Sequence, residues 1–195
     1  MKYLFICSVC LAGILLHLLP ASQSASYEII ADERTLNLVC DDQDNHGNTP
    51  LRQIIDISGL HFDVAEDMET IYYNGDIKMM GSLVRGAPIT LEADVYRWER
   101  SQWLPTGVSV KRDNFCEAIK NPMEIWHPIF VKFGINVSKC PPKKGSVFTF
   151  RNVSNHVFVR NMPFADIAGD LKAVVHLGNG GKNTCMVVYL KVYTH

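Results

Sequence analysis

Alternating apolar and polar residues indicate a β-hairpin in the middle of the chain. From residue 89 to residue 95 every second position is apolar, and the positions between them are polar. A period of two is typical of a strand with one buried face. Residues 99–102 form a polar turn, after which residues 103–110 return as a partner strand. Trp98 and Trp103 flank the turn and are expected to pair across the two strands.

Short apolar runs separated by turn residues continue along most of the chain. Asn74-Gly75-Asp76 lies between two such runs and predicts a second hairpin. The glycine-rich residues 178–182 predict a third one. The last run, residues 185–193, is apolar on both faces and is expected to be covered on both sides. The other predicted strands are residues 27–30, 35–40, 51–60, 146–150, 157–159 and 169–177.

The pattern as a whole predicts eight or nine short strands and no long amphipathic helix. One short helical turn is expected within residues 113–120. Many short strands with turn signals between them are typical of an all-β sandwich of antiparallel strands. Nothing marks a domain boundary, and residues 26–195 are long enough for one core.

One segment departs from the strand pattern, between Cys116 and Cys140. Pro122 and Pro128 oppose a long helix there. The segment is nevertheless rich in large apolar side chains, which either fill a core or line a hollow for a ligand. The sequence favours neither alternative. These side chains belong to Met123, Ile125, Trp126, Ile129, Phe130 and Phe133.

The first 25 residues have the features of a secretory signal peptide. Lys2 precedes an apolar run, and small residues follow it. Two glycosylation sequons, at Asn136 and Asn152, agree with export. Four cysteines lie outside this leader, and in an oxidising compartment they are expected to form two disulfides in one of three pairings. We therefore expect a secreted, extracellular protein.

Charge and motifs argue against several functions. The net charge of −1 gives no basic surface for nucleic acid and no polybasic membrane signal. The sequence contains no hydrolase elbow, zinc-protease motif, P-loop or dinucleotide fingerprint, and outside the leader it has no Cys-x-x-Cys or His-x-His pair for a metal. We therefore expect no enzyme activity, no catalytic residue, no metal and no cofactor. His127 is interpreted as a surface ring beside Pro128, with a pH sensor at a cavity mouth as the alternative.

Several short motifs, taken in order, resemble one known family. Phe115-Cys116 and Cys140-Pro-Pro-Lys-Lys-Gly-Ser-Val-Phe are followed by Gly169-Asp-Leu-Lys-Ala-Val-Val and Lys182-Asn-Thr-Cys185. In this order they resemble the ML lipid-recognition superfamily, which includes the ganglioside activator. Trp103-Leu-Pro-Thr106 and Asp113-Asn-Phe-Cys116 are similar to its insect chemosensory groups, CheA and CheB. The resemblance covers residues 35–193 and is strongest from residue 89 onward.

The family implies an immunoglobulin-like two-sheet sandwich, opened into a cup that accepts a lipid. By position it implies the pairings Cys40–Cys185 and Cys116–Cys140, whereas two further disulfides of the ganglioside activator have no counterpart here. The implied partner is a hydrophobic ligand, namely a lipid, long-chain hydrocarbon or glycolipid, carried or presented in chemosensation or pheromone response. The candidate lipid contacts are Met123, Ile125, Trp126, Ile129, Phe130, Phe133, Phe158 and Phe164.

Other functions remain open. The protein could be a lipid-dependent activator of a hydrolase or receptor, or a structural secreted sandwich without a ligand; a secreted hydrolase lacks a recognisable motif. No integral membrane protein is expected. If Trp126 lines a hollow, Trp126→Ala should weaken ligand binding and leave the melting temperature nearly unchanged. If Trp126 belongs to the core, the effects should be reversed.

Overall fold

The computed structural model describes residues 25–37, 39–40, 48–162 and 166–194. The predicted signal peptide therefore lies outside the described residues, apart from Ala25, which begins the first strand. Two α-helices are described, α1 (Phe115–Lys120) and α2 (Trp126–Lys132). The strands are β1 (Ala25–Ala31), β2 (Ile55–Val64), β3 (Ile71–Met79), β4 (Ile89–Glu99), β5 (Gln102–Arg112), β6 (Val147–Ser154), β7 (His156–Met162), β8 (Gly169–Asn179) and β9 (Lys182–Thr194).

These strands form two antiparallel sheets. The large sheet has the order β5-β4-β8-β9-β1-β7, and the small sheet has the order β2-β3-β6. Both predicted disulfides are present, Cys40–Cys185 and Cys116–Cys140. The prediction of an all-β sandwich of two antiparallel sheets with two disulfides is therefore confirmed.

Two of the three predicted hairpins are confirmed. Strands β4 and β5 are joined by Arg100 and Ser101, which both have positive φ angles, 50° and 62°. Trp98 and Trp103 are direct partners in this hairpin, and their ring centroids are 5.1 Å apart. Strands β8 and β9 are joined at Gly180-Gly181. Both turns need a left-handed backbone. In the β8–β9 turn two glycines adopt it without steric cost.

The hairpin predicted at Asn74-Gly75 is wrong, because β3 continues through these residues. Gly75 has a φ of 105° and lies where the pairing of β3 with β6 shifts register. A Cβ atom at Gly75 would collide with the backbone oxygen of Gly59 on β2. Glycine is thus required here for an irregularity within a strand, and its local sequence signal resembles that of a turn.

Two further strand predictions are corrected near the N-terminus. Residues 35–40 were expected to pair as a strand, but Glu33–Asn37 is a 3₁₀ helix. The strand predicted at residues 51–60 begins only at Ile55, after a 3₁₀ turn at Leu51–Gln53, and continues to Val64.

Strand β9 has buried residues on both faces, as predicted for residues 185–193. On the face turned toward the small sheet, one cluster consists of Tyr27, Val157, Val159, Ile167, Leu171 and Val192. On the opposite face, Cys185 and Val187 pack with Val174 and Cys40. The segment that ends at Cys40 thus covers the outer face of β9, which explains why alternate residues on both sides of this strand are apolar.

Candidate functional site

A cavity of about 590 Å³ lies between the two sheets. The small sheet contributes Ile77, Met79 and Phe148 to its wall. From the large sheet come Leu177 and Met186. Apolar side chains thus face each other across a gap that they do not fill, although protein interiors normally interdigitate. Further apolar lining residues are Ile55, Ile89, Phe115, Ile119, Phe130 and Phe150.

The cavity occupies the end of the sandwich at which β8 ends and β9 begins. We call this region the open end. Its rim is formed by residues of three segments, 49–54, 81–83 and 135–142. Cys140 belongs to the third segment and is bonded to Cys116 in α1. The disulfide therefore holds part of the rim against a helix that also contributes Ile119 to the cavity wall.

Helix α1 and the bend after it have clear local causes. Asn114 caps α1, because its side-chain oxygen accepts a hydrogen bond from the N–H of Glu117 at 3.4 Å. Arg112 at the end of β5 donates two hydrogen bonds to the carboxylate of Glu124, at 3.0 and 2.8 Å. This paired contact fixes the connection between the helices to the large sheet.

Helix α2 forms in spite of Pro128, because this proline is the third residue of the helix. The first helical N–H groups have no partner within a helix, so the missing N–H costs no hydrogen bond. The ring of His127 is part-buried, and its Nδ1 lies 2.8 Å from the carbonyl oxygen of Ile119 in α1. His127 therefore links the two helices and is not among the described residues that line the cavity.

Among the eight predicted lipid contacts, Phe130 lines the cavity. Ile125 and Ile129 pack instead against the cluster around Tyr27. This cluster lies where β8 begins and β9 ends, and we call it the closed end. Trp126 packs against the buried residues Leu91, Ala93, Val110 and Val175, in the middle of the sandwich.

The remaining candidates lie elsewhere. Phe133 packs on the inner face of the small sheet, and its ring centroid is 5.8 Å from that of Phe150. Met123 is 90% exposed in the connection between the helices, and Phe158 is 58% exposed on β7. Phe164 lies outside the described residues. Most of the predicted contacts in segment 116–140 thus pack into the interior, whereas strand residues that were not predicted supply much of the cavity wall.

The sequence reasoning missed those strand residues. A signal for them exists, because Ile77 and Met79, and likewise Phe148 and Phe150, are large apolar residues at alternate positions. Alternation shows that such residues face inward, but it does not show whether the opposite sheet reaches them. That depends on the separation of the sheets, which no local pattern encodes.

The polar residues of the cavity are concentrated at its rim. Lys139 and Lys182 are exposed there. Asn136, one of the two sequon asparagines, also lies on the rim. Its Oδ1 accepts hydrogen bonds from the N–H and hydroxyl of Ser138, at 3.1 and 2.6 Å. Its amide nitrogen, to which a glycan would be attached, takes no part in these bonds. Asn152 is exposed on β6, with a φ of 52°.

A chain of hydrogen bonds at the closed end connects Glu28, His156 and Thr70. His156 Nδ1 is 2.7 Å from a Glu28 oxygen, and its Nε2 is 3.1 Å from the Thr70 hydroxyl. However, that hydroxyl donates its proton to Asp67, at 2.5 Å. Hydrogen bonds from Thr70 and from the Glu69 N–H lower the pKa of Asp67 to about 2. The proton of Thr70 is therefore directed toward the carboxylate, and the geometry is not that of a nucleophile activated by histidine.

Within the described residues, no group of three or more His, Cys, Asp or Glu side chains could hold a metal ion. None of the described helices is long and apolar enough to cross a membrane. A second depression, of about 420 Å³, is lined by charged side chains that include Glu92, Lys111 and His176. The intersheet cavity is thus the larger and the more apolar of the two.

The fold and the cavity together define a class: an all-β sandwich of two antiparallel sheets, linked by two disulfides, with an apolar cavity between the sheets. No family model matches this chain, and no curated protein matches its sequence.

Proposed function

We propose that this protein is a secreted lipid-binding protein of the ML type, which carries or presents a hydrophobic ligand between its sheets. The cavity of about 590 Å³ is the observation that supports this function most directly. Its size falls within the range of about 300–1,000 Å³ that is typical of small-molecule sites. The two disulfides agree with an oxidising, extracellular location.

Ligand binding would be driven by the apolar wall. Each methylene transferred from water to the cavity contributes about 0.8 kcal/mol. Side chains such as Ile77, Phe148 and Met186 supply this wall, and binding of this kind needs no catalytic group. The chemosensory role and the pheromone class of ligand rest on the sequence resemblance alone.

Bound lipid can be tested directly. The protein, purified as the secreted glycoprotein, should retain a lipid that is detectable by mass spectrometry after extraction. Met186→Trp should fill the cavity and displace both this lipid and a neutral fluorescent probe, Nile red. Val147→Trp is the matched control, because Val147 is 49% exposed on the neighbouring small-sheet strand and does not line the cavity. Equal retention by both variants, or no lipid at all, would contradict the proposal.

A second candidate function is that of a lipid-dependent activator of a hydrolase or receptor. The observation that favours it is the exposure of Met123, 90%, in the connection between the helices, and of Val131, 55%, next to the cavity residue Phe130 in α2. Exposed apolar groups beside a ligand site are suited to contact with a second protein. Met123→Ser with Val131→Ser should then abolish partner capture from the expressing tissue and leave lipid retention intact.

A further inference from the structure

Among the described residues, the charged side chains that line the cavity rim are of one sign. Lys139 and Lys182 line the rim, and no aspartate or glutamate is among the described residues that line this cavity. Neither lysine forms an ion pair with any residue that the structure describes. Two ammonium groups that have no such partner, at the mouth of an apolar cavity, favour a ligand with an anionic group at one end.

A buried hydroxyl lies directly inward from this rim. Thr184 is 6% exposed and lines the cavity, and its Oγ1 has no hydrogen-bond partner among the described residues. An unpaired buried hydroxyl is costly, so it indicates a missing partner. Lys182 and Thr184 are two residues apart on β9, so both side chains point to the same face, about 7 Å apart along the strand. A carboxylate or phosphate can accept hydrogen bonds from both.

The volume limits the apolar part of the ligand. A cavity of about 150 Å³ holds benzene, so each carbon atom needs roughly 25 Å³. By this measure, the cavity of about 590 Å³ holds on the order of 20 carbon atoms. Two chains of about 16 carbons each would exceed this volume. One chain of about 16 carbons fits, and a second chain of the same length does not.

We infer that the ligand is a single-chain lipid with an anionic head group, held at the open end by Lys139, Lys182 and Thr184. This inference rests on the proposed lipid-binding function and specifies its ligand class. The head group accepts hydrogen bonds from the Thr184 hydroxyl and the Lys182 ammonium group, while Lys139 contributes charge from the rim segment 135–142. The chain extends inward along Met186 and Phe130.

The test compares lipids that share one chain length. Delipidated protein is titrated with palmitate, with palmitoyl lysophosphatidate and with the neutral alcohol hexadecanol, each in competition with Nile red. Both anions should bind about tenfold tighter than the alcohol, since a charge-assisted contact is gained. Higher salt should reduce this advantage, because both lysines are exposed. Palmitate and lysophosphatidate then show whether a carboxylate or a phosphate is preferred.

The variants assign the effect to residues. Lys139→Gln with Lys182→Gln should remove the preference for anions and leave hexadecanol affinity unchanged. Lys111→Gln with Lys120→Gln alters the net charge equally at positions that do not line the cavity, and should have no effect. Thr184→Val keeps the side-chain shape and should weaken anion binding severalfold. Its unfolding midpoint should not fall, because the hydroxyl lacks a partner.

The outcomes separate this inference from the function on which it rests. Equal affinity for acid and alcohol, or a preference that survives the Lys139/Lys182 change, would overturn the anionic head group while lipid binding stands. Equally tight binding of two-chain phosphatidate would overturn the single-chain limit. If neither the three lipids nor Nile red binds, both the inference and the proposed function fail.

Discussion

The closed and the open end of the sandwich share strands β4, β8 and β9 but are filled differently. At the closed end, Ile125 and Ile129 of the α2 segment pack on the cluster around Tyr27 and complete the core. At the open end the described residues supply a rim tied by Cys140 but no side chain that fills the space. Apolar content alone therefore does not decide whether a region becomes core or cavity. The position of the irregular segment 116–140 decides which end of the sandwich is filled.

The largest expected effect concerns the two disulfides. Cys40→Ala with Cys185→Ala opens a cross-link over 145 residues, and Cys116→Ala with Cys140→Ala opens one over 24. In the chain-entropy model these changes cost at most about 5 and 3.5 kcal/mol of unfolding free energy. Removal of the second bond should also lower lipid affinity, because Cys140 lies on the rim. Urea unfolding measures the loss of unfolding free energy, and Nile red titration measures the loss of lipid affinity. An equal affinity loss in the two variants would contradict a special role of the rim disulfide at the open end.

Trp126 tests the boundary between filled and open interior. Because it packs on Leu91 and Val110, Trp126→Ala should cost about 3 kcal/mol of unfolding free energy and change lipid affinity little. This is the core alternative that the sequence left open. Trp126→Phe is the control, and it should be nearly neutral, since the buried indole Nε1 has no hydrogen-bond partner. A stable Trp126→Ala variant with weak lipid binding would instead place Trp126 at the ligand.

Added volume should have opposite consequences in the two regions. Ala93 is 3% exposed within the filled interior, so Ala93→Leu should cost about 2 kcal/mol through overpacking. Leu177→Trp adds volume to the cavity wall, where space exists, and should change unfolding free energy by less than about 1 kcal/mol. Chemical denaturation of both variants provides the measurement. Comparable destabilisation of the two variants would mean that the open end has no room for a ligand.

The smallest effect is an acid dependence that belongs to the closed end. The pKa of Asp67 is lowered from 3.8 to about 2 by hydrogen bonds from Thr70 and Glu69, so folding favours its ionised form. Its contribution is present above pH 3.8 and is lost as the pH falls toward 2. Asp67→Asn should therefore lose less melting temperature than the wild type over this range. Nile red affinity should change equally in both proteins. If the melting temperature falls with pH at the same rate in both, Asp67 is not the source of the acid dependence.

Local patterns predicted those parts of the fold that local chemistry determines. The β4–β5 hairpin follows from alternation and a polar turn, and it is confirmed down to the Trp98–Trp103 pair. The same reasoning failed at Gly75, because a glycine with positive φ serves equally in a turn and in an irregular strand pairing. The disulfide pairing came from the family resemblance, since four cysteines alone leave three possibilities.

The site was harder to predict because it is a property of both sheets together. Phe130 was expected at the ligand and does line the cavity, but its neighbours Ile129 and Phe133 face other parts of the interior. A short helix turns successive residues by a large angle, so one segment can serve the core and the cavity at once. Residues such as Leu177 and Met186 join the site only through the gap between distant strands.

The Cys40–Cys185 bond has a consequence for how readily this protein can change its specificity. Cys185 points away from the cavity, whereas its neighbours Thr184 and Met186 point into it. A slip of β9 by one residue would exchange these two faces, and the covalent tie to Cys40 forbids it. Substitutions at positions 182, 184 and 186 can therefore accumulate without a shift in the register of β9. The disulfide fixes this strand from its outer face, so the residues on its cavity face can evolve toward a different ligand.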